Sequence, residues 1–270
     1  MATLPRATPD RRARAAAGRH RRLRAAVATA ALAGLAGGLL AACGSSTPPA
    51  PPASMGIVQN RAVPSTTLLT QQGRQTTLAA YRGKYVVMAP FLSLCQDECP
   101  LITGAFLAMQ RDVRAAGLGN KVVFLEVSVD PWRDSPARLT AYAKRFGADW
   151  PLLTGSLAQL KTFWKDFDVY FAKVPEEQPP KLDWWTGRPL AFDVDHTDGF
   201  ILLDPAGRQR FITVEPPNLH GKLSPDLRKL LNKGGLENLY DQSANSWTVP
   251  QALAALSWLV GRTIPAGSST

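Results

Sequence analysis

Cys95 and Cys99 are two of only three cysteines in 270 residues; Gln96-Asp97-Glu98 separates them and Pro100 follows. A four-residue spacing in a first helical turn puts two side chains on one face, so the sulfurs can approach closely. Backbone N–H groups at a helix start favour a thiolate, which is both the nucleophile of disulfide exchange and a soft-metal ligand. Pro100 costs little there, because first-turn N–H groups lack partners within the helix. The pair could exchange disulfides, hold a metal, or simply pack as two small hydrophobes. Packing accounts poorly for a pair in a chain so sparing with sulfur. A disulfide kept for stability is also a poor reason, since closing so short a loop gains little chain entropy.

A third group bears on the choice. Exchangers of the thioredoxin type usually carry two residues between their cysteines and a cis-proline just before an opposing strand. Here the segment leading into the apolar run Phe200–Leu203 is FDVDHTDGF, Phe192 to Phe200, which has no proline and carries His196. Two thiolates and one imidazole make a soft, three-coordinate set suited to Cu(I), or to Cu(II) with further weak ligands. Structural zinc normally takes a fourth protein ligand. A single histidine in an acidic loop is also commonly a plain surface residue, so both readings of His196 stand at this point. Of the other histidines, His20 lies in an N-terminal leader and His220 in an irregular stretch with nothing to place it.

The elements around these residues read as an α/β layer. Lys84–Phe91 is a nearly continuous apolar run of strand length, as for a strand buried on both faces, and Lys121–Asp130 is a second. Between them Leu101, Phe106, Leu107 and Val113 recur at helical spacing until Gly117 and Gly119. A second helix opens at Asp134-Ser135-Pro136, with Asp134 near the cap, and a third covers Ser156–Phe167. Asp130 and Asp134 read as turn and cap residues rather than catalysts. Two hairpins are expected: a short one at Thr66–Leu78, and Gly199–Leu203 with Arg208–Val214 around Asp204-Pro205-Ala206-Gly207. Val249–Val260 is an amphipathic helix opened by Pro250. Residues 173–191 read as a proline-rich surface loop, and 215–248 yield only one short helix near Pro225–Leu231. Together these predict a mixed central sheet flanked by helices.

The N-terminus reads as a leader. Residues 1–24 hold eight arginines against Asp10, and residues 25–42 carry no charge before Cys43. Leu40-Ala41-Ala42-Cys43 resembles a bacterial lipobox, in which the cysteine becomes the lipidated first residue. An uncleaved span is the alternative, but this segment is short and only weakly apolar. Arg21-Arg22 fits twin-arginine export poorly. Removing this leader lowers the net charge from +10 to +3, so a nucleic-acid partner is not expected. The expected organisation is a signal peptide over 1–42, a Pro/Ser-rich tether over 43–62 carrying lipidated Cys43, a folded domain over 63–262, and a flexible tail over 263–270.

Several motifs in this order resemble the Sco/SenC family of copper-binding assembly proteins, from about Val63 to Val214. They are Leu78–Phe91, the Cys95-Gln96-Asp97-Glu98-Cys99-Pro100 core, and Val127-Ser128-Val129-Asp130-Pro131 with Asp134 and Pro136. Leu153-Thr154-Gly155 follows, then Val194-Asp195-His196 and Leu203-Asp204-Pro205-Ala206-Gly207. The resemblance implies a thioredoxin-like fold and copper ligands at Cys95, Cys99 and His196. It also implies a redox disulfide between the two cysteines and a metallochaperone rather than an enzyme. Its implied partner is the binuclear copper site of cytochrome c oxidase subunit II, reached from the extracytoplasmic face of the cell membrane through the lipid on Cys43. A thiol–disulfide oxidoreductase acting on the oxidase or in redox sensing is the alternative. Phe91-Leu92-Ser93-Leu94 departs from the family's usual Gly/Tyr/Thr run, and 173–191 and 215–248 look extended relative to it.

Overall fold

Two apolar runs, YVVMAPF and VVFLEVS, build the centre of the molecule. In the computed structural model, which describes residues 47–240 and 246–267, both are strands buried along nearly their whole length. The expected leader, Cys43 and the last three residues of the expected tail lie outside the described residues.

In chain order, β1 (Ile57–Ala62), β2 (Leu68–Thr70) and β3 (Gln75–Thr76) lead through a short turn into β4 (Tyr85–Phe91), α1 (Glu98–Ala115) and β5 (Val122–Ser128). Then come α2 (Pro136–Phe146), β6 (Leu152–Thr154), α3 (Leu157–Lys165), β7 (Phe171–Val174), β8 (Asp193–His196), β9 (Phe200–Leu203) and β10 (Arg208–Thr213). The C-terminal part holds β11 (Pro217–Asn218), α4 (Pro225–Arg228), α5 (Lys233–Tyr240), β12 (Trp247–Thr248) and α6 (Val249–Val260).

The main sheet runs β1-β10-β9-β4-β5-β6-β2-β3. β4 pairs in parallel with β5, from Tyr85 opposite Val122 to Phe91 opposite Ser128, and β5 in parallel with β6. β9 pairs antiparallel with β4 on its other side and β10 antiparallel with β9. Parallel neighbours need crossovers, which α1 and α2 supply. This mixed sheet with flanking helices is the thioredoxin-like arrangement expected. Among the described residues no helix is long and apolar enough to cross a membrane.

Local chemistry explains the ends of the helices. α2 starts where the Ser135 hydroxyl accepts from the Arg138 N–H at 3.3 Å, with Pro136 in the first turn, and it stops at Gly147 with φ 77°. α6 starts with a capping box between Thr248 and Gln251.

Five expectations need correction. Asp134 is not the α2 cap: it is buried, and its carboxylate accepts from the Ser93 hydroxyl at 2.5 Å and the Ser128 hydroxyl at 2.7 Å. Residues 57–62, expected in the tether, form edge strand β1 against β10. Residues 173–191 do not simply skirt the surface. Asp183 is buried and receives two hydrogen bonds from Arg138 at 2.9 and 2.7 Å, and the Trp184 indole donates to the Ser93 carbonyl at 2.7 Å. Residues 215–248 contain α5 as well as α4, and a parallel pair of short strands, β11 with β12. Part of the tail is docked, with Ile264 buried and the Gly267 N–H donating to Asp112 at 2.9 Å.

Candidate metal centre

β4 delivers the sulfurs. It ends at Phe91 in the middle of the sheet, and the chain then turns so that the Cys95 N–H donates to the Leu92 carbonyl at 3.2 Å. α1 begins at Glu98, with Asp97 at its cap position. Cys99 is therefore in the first turn, while Cys95 lies in the loop before it rather than on the helix itself. The loop achieves what helical spacing was expected to: the N–H groups of Cys99 and Asp97 point at the Cys95 sulfur from 3.3 and 3.5 Å.

The ring comes from a separate two-stranded sheet, β7 with β8. β8 pairs antiparallel with β7, setting His196 opposite Phe171, and the Thr197 N–H donates to the Tyr170 carbonyl at 3.0 Å. Three residues later β9 joins β4, with Ile201 opposite Met88. The strand pairing thus brings His196 over the end of β4. Its Nε2 lies 3.4 Å from the Cys99 sulfur, and one donor atom from each of Cys95, Cys99 and His196 falls within 4.8 Å of the others. All three side chains are nearly shut off from solvent. Both cysteines are free thiols. His196 Nδ1 lies 3.0 Å from the Thr197 carbonyl, which fixes the ring and turns Nε2 toward the sulfurs. Two soft sulfurs and one oriented imidazole fit a soft metal in low coordination.

The electrostatics are uneven. Burial alone would raise the Cys95 thiol, but hydrogen bonding with Cys99 and His196, the imidazolium charge and the Asp97 N–H bring it well below the ordinary thiol range. Cys99 goes the other way: burial, then the neighbouring Cys95 sulfur, push it well up. For His196, burial would lower the value, yet the bond to Cys95 and the Asp198 carboxylate carry it up to about 10. The reduced site therefore favours negative charge on Cys95 and positive charge on the ring, with a proton kept on Cys99. The ring lies 3.4 Å from the Cys99 sulfur, but the charge favours Cys95, which hydrogen bonding with Cys99 and His196, then the imidazolium charge, and last the Asp97 N–H all lower.

A cavity of about 360 Å³ opens beside the three residues, walled by Asp97, Glu98, Asp193, Asp195 and Asp198. Burial and the Cys95 charge raise Asp97 to about 6; burial with Asp198 and Asp97 raises Glu98 to about 9. Burial likewise lifts Asp198 to about 7, against the pull of His196. Asp97 and Glu98 lie between the cysteines and Asp193, Asp195 and Asp198 flank His196, so each group is local in sequence, and the fold brings the two groups together around one cavity.

Further residues at the site went unforeseen. Asn238 on α5 donates through Nδ2 to Asp97 and to Glu98, each at 2.7 Å, and the Gln96 side chain donates to Glu176 at 3.1 Å. Gly234-Gly235, unusual in a helix, was the available signal for the first of these. Asp130 keeps its turn role, accepting from the Arg133 N–H at 3.1 Å.

Residues 57–232 match the family model described as SCO1/SenC. Among curated proteins, the chain is similar to Protein sco1 of Schizosaccharomyces pombe, 30% identical over 141 residues, covering 52% of this chain and 50% of that one. It is also similar to the mitochondrial Protein SCO1 of Saccharomyces cerevisiae, 29% identical over 136 residues, covering 50% and 43%. The chain thus spans about half the length of these relatives. Among solved structures, Bradyrhizobium japonicum ScoI with copper bound is 25% identical with a TM-score of 0.47, covering 64% of this chain and 96% of that one. Yeast Sco1 with copper bound is 28% identical with a TM-score of 0.47, covering 56% and 78%.

Proposed function

The chain belongs to the SCO1/SenC family, and on that premise we propose that it is a copper metallochaperone that carries its cargo on Cys95, Cys99 and His196. The observation that carries this reading is the convergence of two sulfurs and an oriented imidazole within 4.8 Å. The donor set is soft, which favours Cu(I) over hard cations, and three protein donors leave room for one more. An incoming thiolate from a partner enters through the acidic cavity, binds the copper, and displaces the protein's donors one at a time. The recipient in this reading is the binuclear copper site of cytochrome c oxidase subunit II. The protein works from the extracytoplasmic face of the cell membrane, held there by a lipid on Cys43 after loss of residues 1–42.

Copper titration of the reduced protein with X-ray absorption tests the site. A shell of sulfur and nitrogen at short distance supports the assignment; an all-oxygen shell ends it. His196→Ala lowers Cu(I) affinity by ~100-fold or more, since even groups that only orient a ligand are worth 10–100-fold. Equal affinity in the variant and the parent removes His196 from the ligand set.

A second reading draws on the contrast between the two thiols. With Cys95 held as a thiolate and Cys99 as a thiol, the pair is poised for exchange. Cys95 attacks a target disulfide and releases one target thiolate. Cys99 then gives up its proton and attacks Cys95, releasing the second. The target gains two electrons, and the protein keeps a Cys95–Cys99 disulfide. Loss of copper carriage in His196→Ala, with exchange retained at a pH high enough to ionise Cys95 without the ring, separates the two activities.

A further inference from the structure

The three residues between the sulfurs are all held from outside the loop. The Asn232 N–H donates to the Gln96 carbonyl at 2.7 Å, while the Asn232 side chain accepts from the Gly235 N–H at 2.7 Å and so caps α5. A Cβ on Gly235 would lie 2.6 Å from the Gln96 carbonyl oxygen and 3.0 Å from the Asp97 Cα; α5 approaches the loop backbone at a distance only glycine allows. Glycine is the poorest helix former after proline, so one inside an eight-residue helix needs a reason, and for Gly235 the close approach supplies it. One turn further on, the two N–H bonds of the Asn238 amide reach Asp97 Oδ1 and Glu98 Oε1, each at 2.7 Å. α5 begins directly after the residues that match the family model.

We propose that Asn232–Tyr240 is a positioning element for the copper pair and that Asn238 is its principal positioning residue. The inference rests on the copper reading and deepens it. A three-residue bridge left to itself has many conformations, and most of them separate Cys95 from Cys99. Tying Gln96 by its carbonyl, and Asp97 and Glu98 by their carboxylates, selects the conformation in which both sulfurs face Nε2 of His196. A site organised before the metal arrives loses less freedom on binding and releases its cargo more slowly. A neutral amide satisfies both carboxylates without placing a cation beside the incoming copper. The plain alternative is that α5 only packs here, through Leu239 and Gly235, and that Asn238 merely satisfies two acids on a half-buried surface.

Asn238→Ala, Asn238→Gln and Gly235→Ala in the reduced full chain distinguish these. Positioning predicts that Asn238→Ala lowers Cu(I) affinity by ~10–100-fold, the range for groups that orient metal ligands. It also predicts faster copper release to a competing chelator and a shifted thiolate-to-copper charge-transfer band in the Cu(II) form. Asn238→Gln, which restores the amide donors, returns these values toward the parent. Parent-like affinity, release rate and band in Asn238→Ala overturn the proposal. If Gly235→Ala does not fold, the Asn238 pair decides alone. Should the parent itself bind no copper, the metallochaperone reading falls, and reaction of Cys95 with a neutral alkylating reagent becomes the readout. A changed rate in Asn238→Ala then supports positioning of the thiols, and an unchanged rate overturns it.

Discussion

In the proposed copper site, protons and metal compete for the same atoms. Cys95 is drawn toward its thiolate by Cys99 and the ring, so it contributes least to proton release. Cys99 is held protonated by burial, and His196 stays an imidazolium until about pH 10. Copper uptake below that pH therefore expels two protons, one from sulfur and one from Nε2. Because protonation opposes binding, affinity rises with pH, by about tenfold per unit for each proton expelled. Between pH 6 and 8 the logarithm of Cu(I) affinity should climb with a slope of two in the parent. In His196→Ala the ring proton drops out, but Cys95 loses the bond and charge that kept it low and regains a proton to release, so the slope should fall between one and two. Competition titrations at several pH values give both slopes, and a flat parent profile contradicts the assigned protonation states. The cysteines were legible in the sequence by rarity and spacing, whereas His196 stayed open on its own residues and was singled out by the resemblance to the Sco/SenC family. Asn238 and Glu176 were not legible, since a lone polar residue far along the chain carries no spacing signal.

β5 carries a charge-bearing group through the middle of the sheet. Glu126 is fully buried, accepting from the Thr103 hydroxyl at 2.7 Å and the Trp150 indole at 3.0 Å, and burial raises it to about 7 despite both bonds. The folded state therefore prefers the protonated acid more than the unfolded chain does. Its contribution is most favourable below the unfolded value near 4.5 and declines as pH rises through about 7, then levels off. The decline amounts to about 3 kcal/mol, since each tenfold change in a proton-binding constant is worth ~1.4 kcal/mol. Glu126→Gln keeps a partner for each neighbour, if the Thr103 hydroxyl turns to Tyr142 at 3.0 Å, and cannot ionise. Urea unfolding at pH 5 and pH 8 should show the parent losing more stability than the variant over that interval; parallel losses count against a charged Glu126. Elements with strong local signals were readable: β4 and β5 from unbroken apolar runs, α6 from its periodicity and Pro250. β8 was missed because it pairs with β7 across a proline-rich stretch, and α5 because its two glycines break the helical pattern.

For the molecule as a whole, the lower boundary of the fold falls earlier than composition implied. β1 covers the edge of β10, Gly56 packs against the Phe211 ring, and Arg61 pairs with Asp168 at 2.5 Å. A protein starting at Val63 leaves β10 as an open edge and should melt at lower temperature and scatter more light on heating than one starting at Thr47. Matching melting curves would show β1 to be dispensable. The proposed anchor is checked by mass spectrometry of the mature protein: a diacylated N-terminus at Cys43 is expected, and retention of residues 25–42 contradicts it. A last consequence concerns timing. The sulfurs are neighbours along the chain, but the ring that completes their triangle lies 97 residues downstream of Cys99 and arrives only when β9 has docked on β4. A chain in which β9 has yet to dock offers a metal no more than a loose dithiol, so the three-donor site exists only once this part of the sheet has formed.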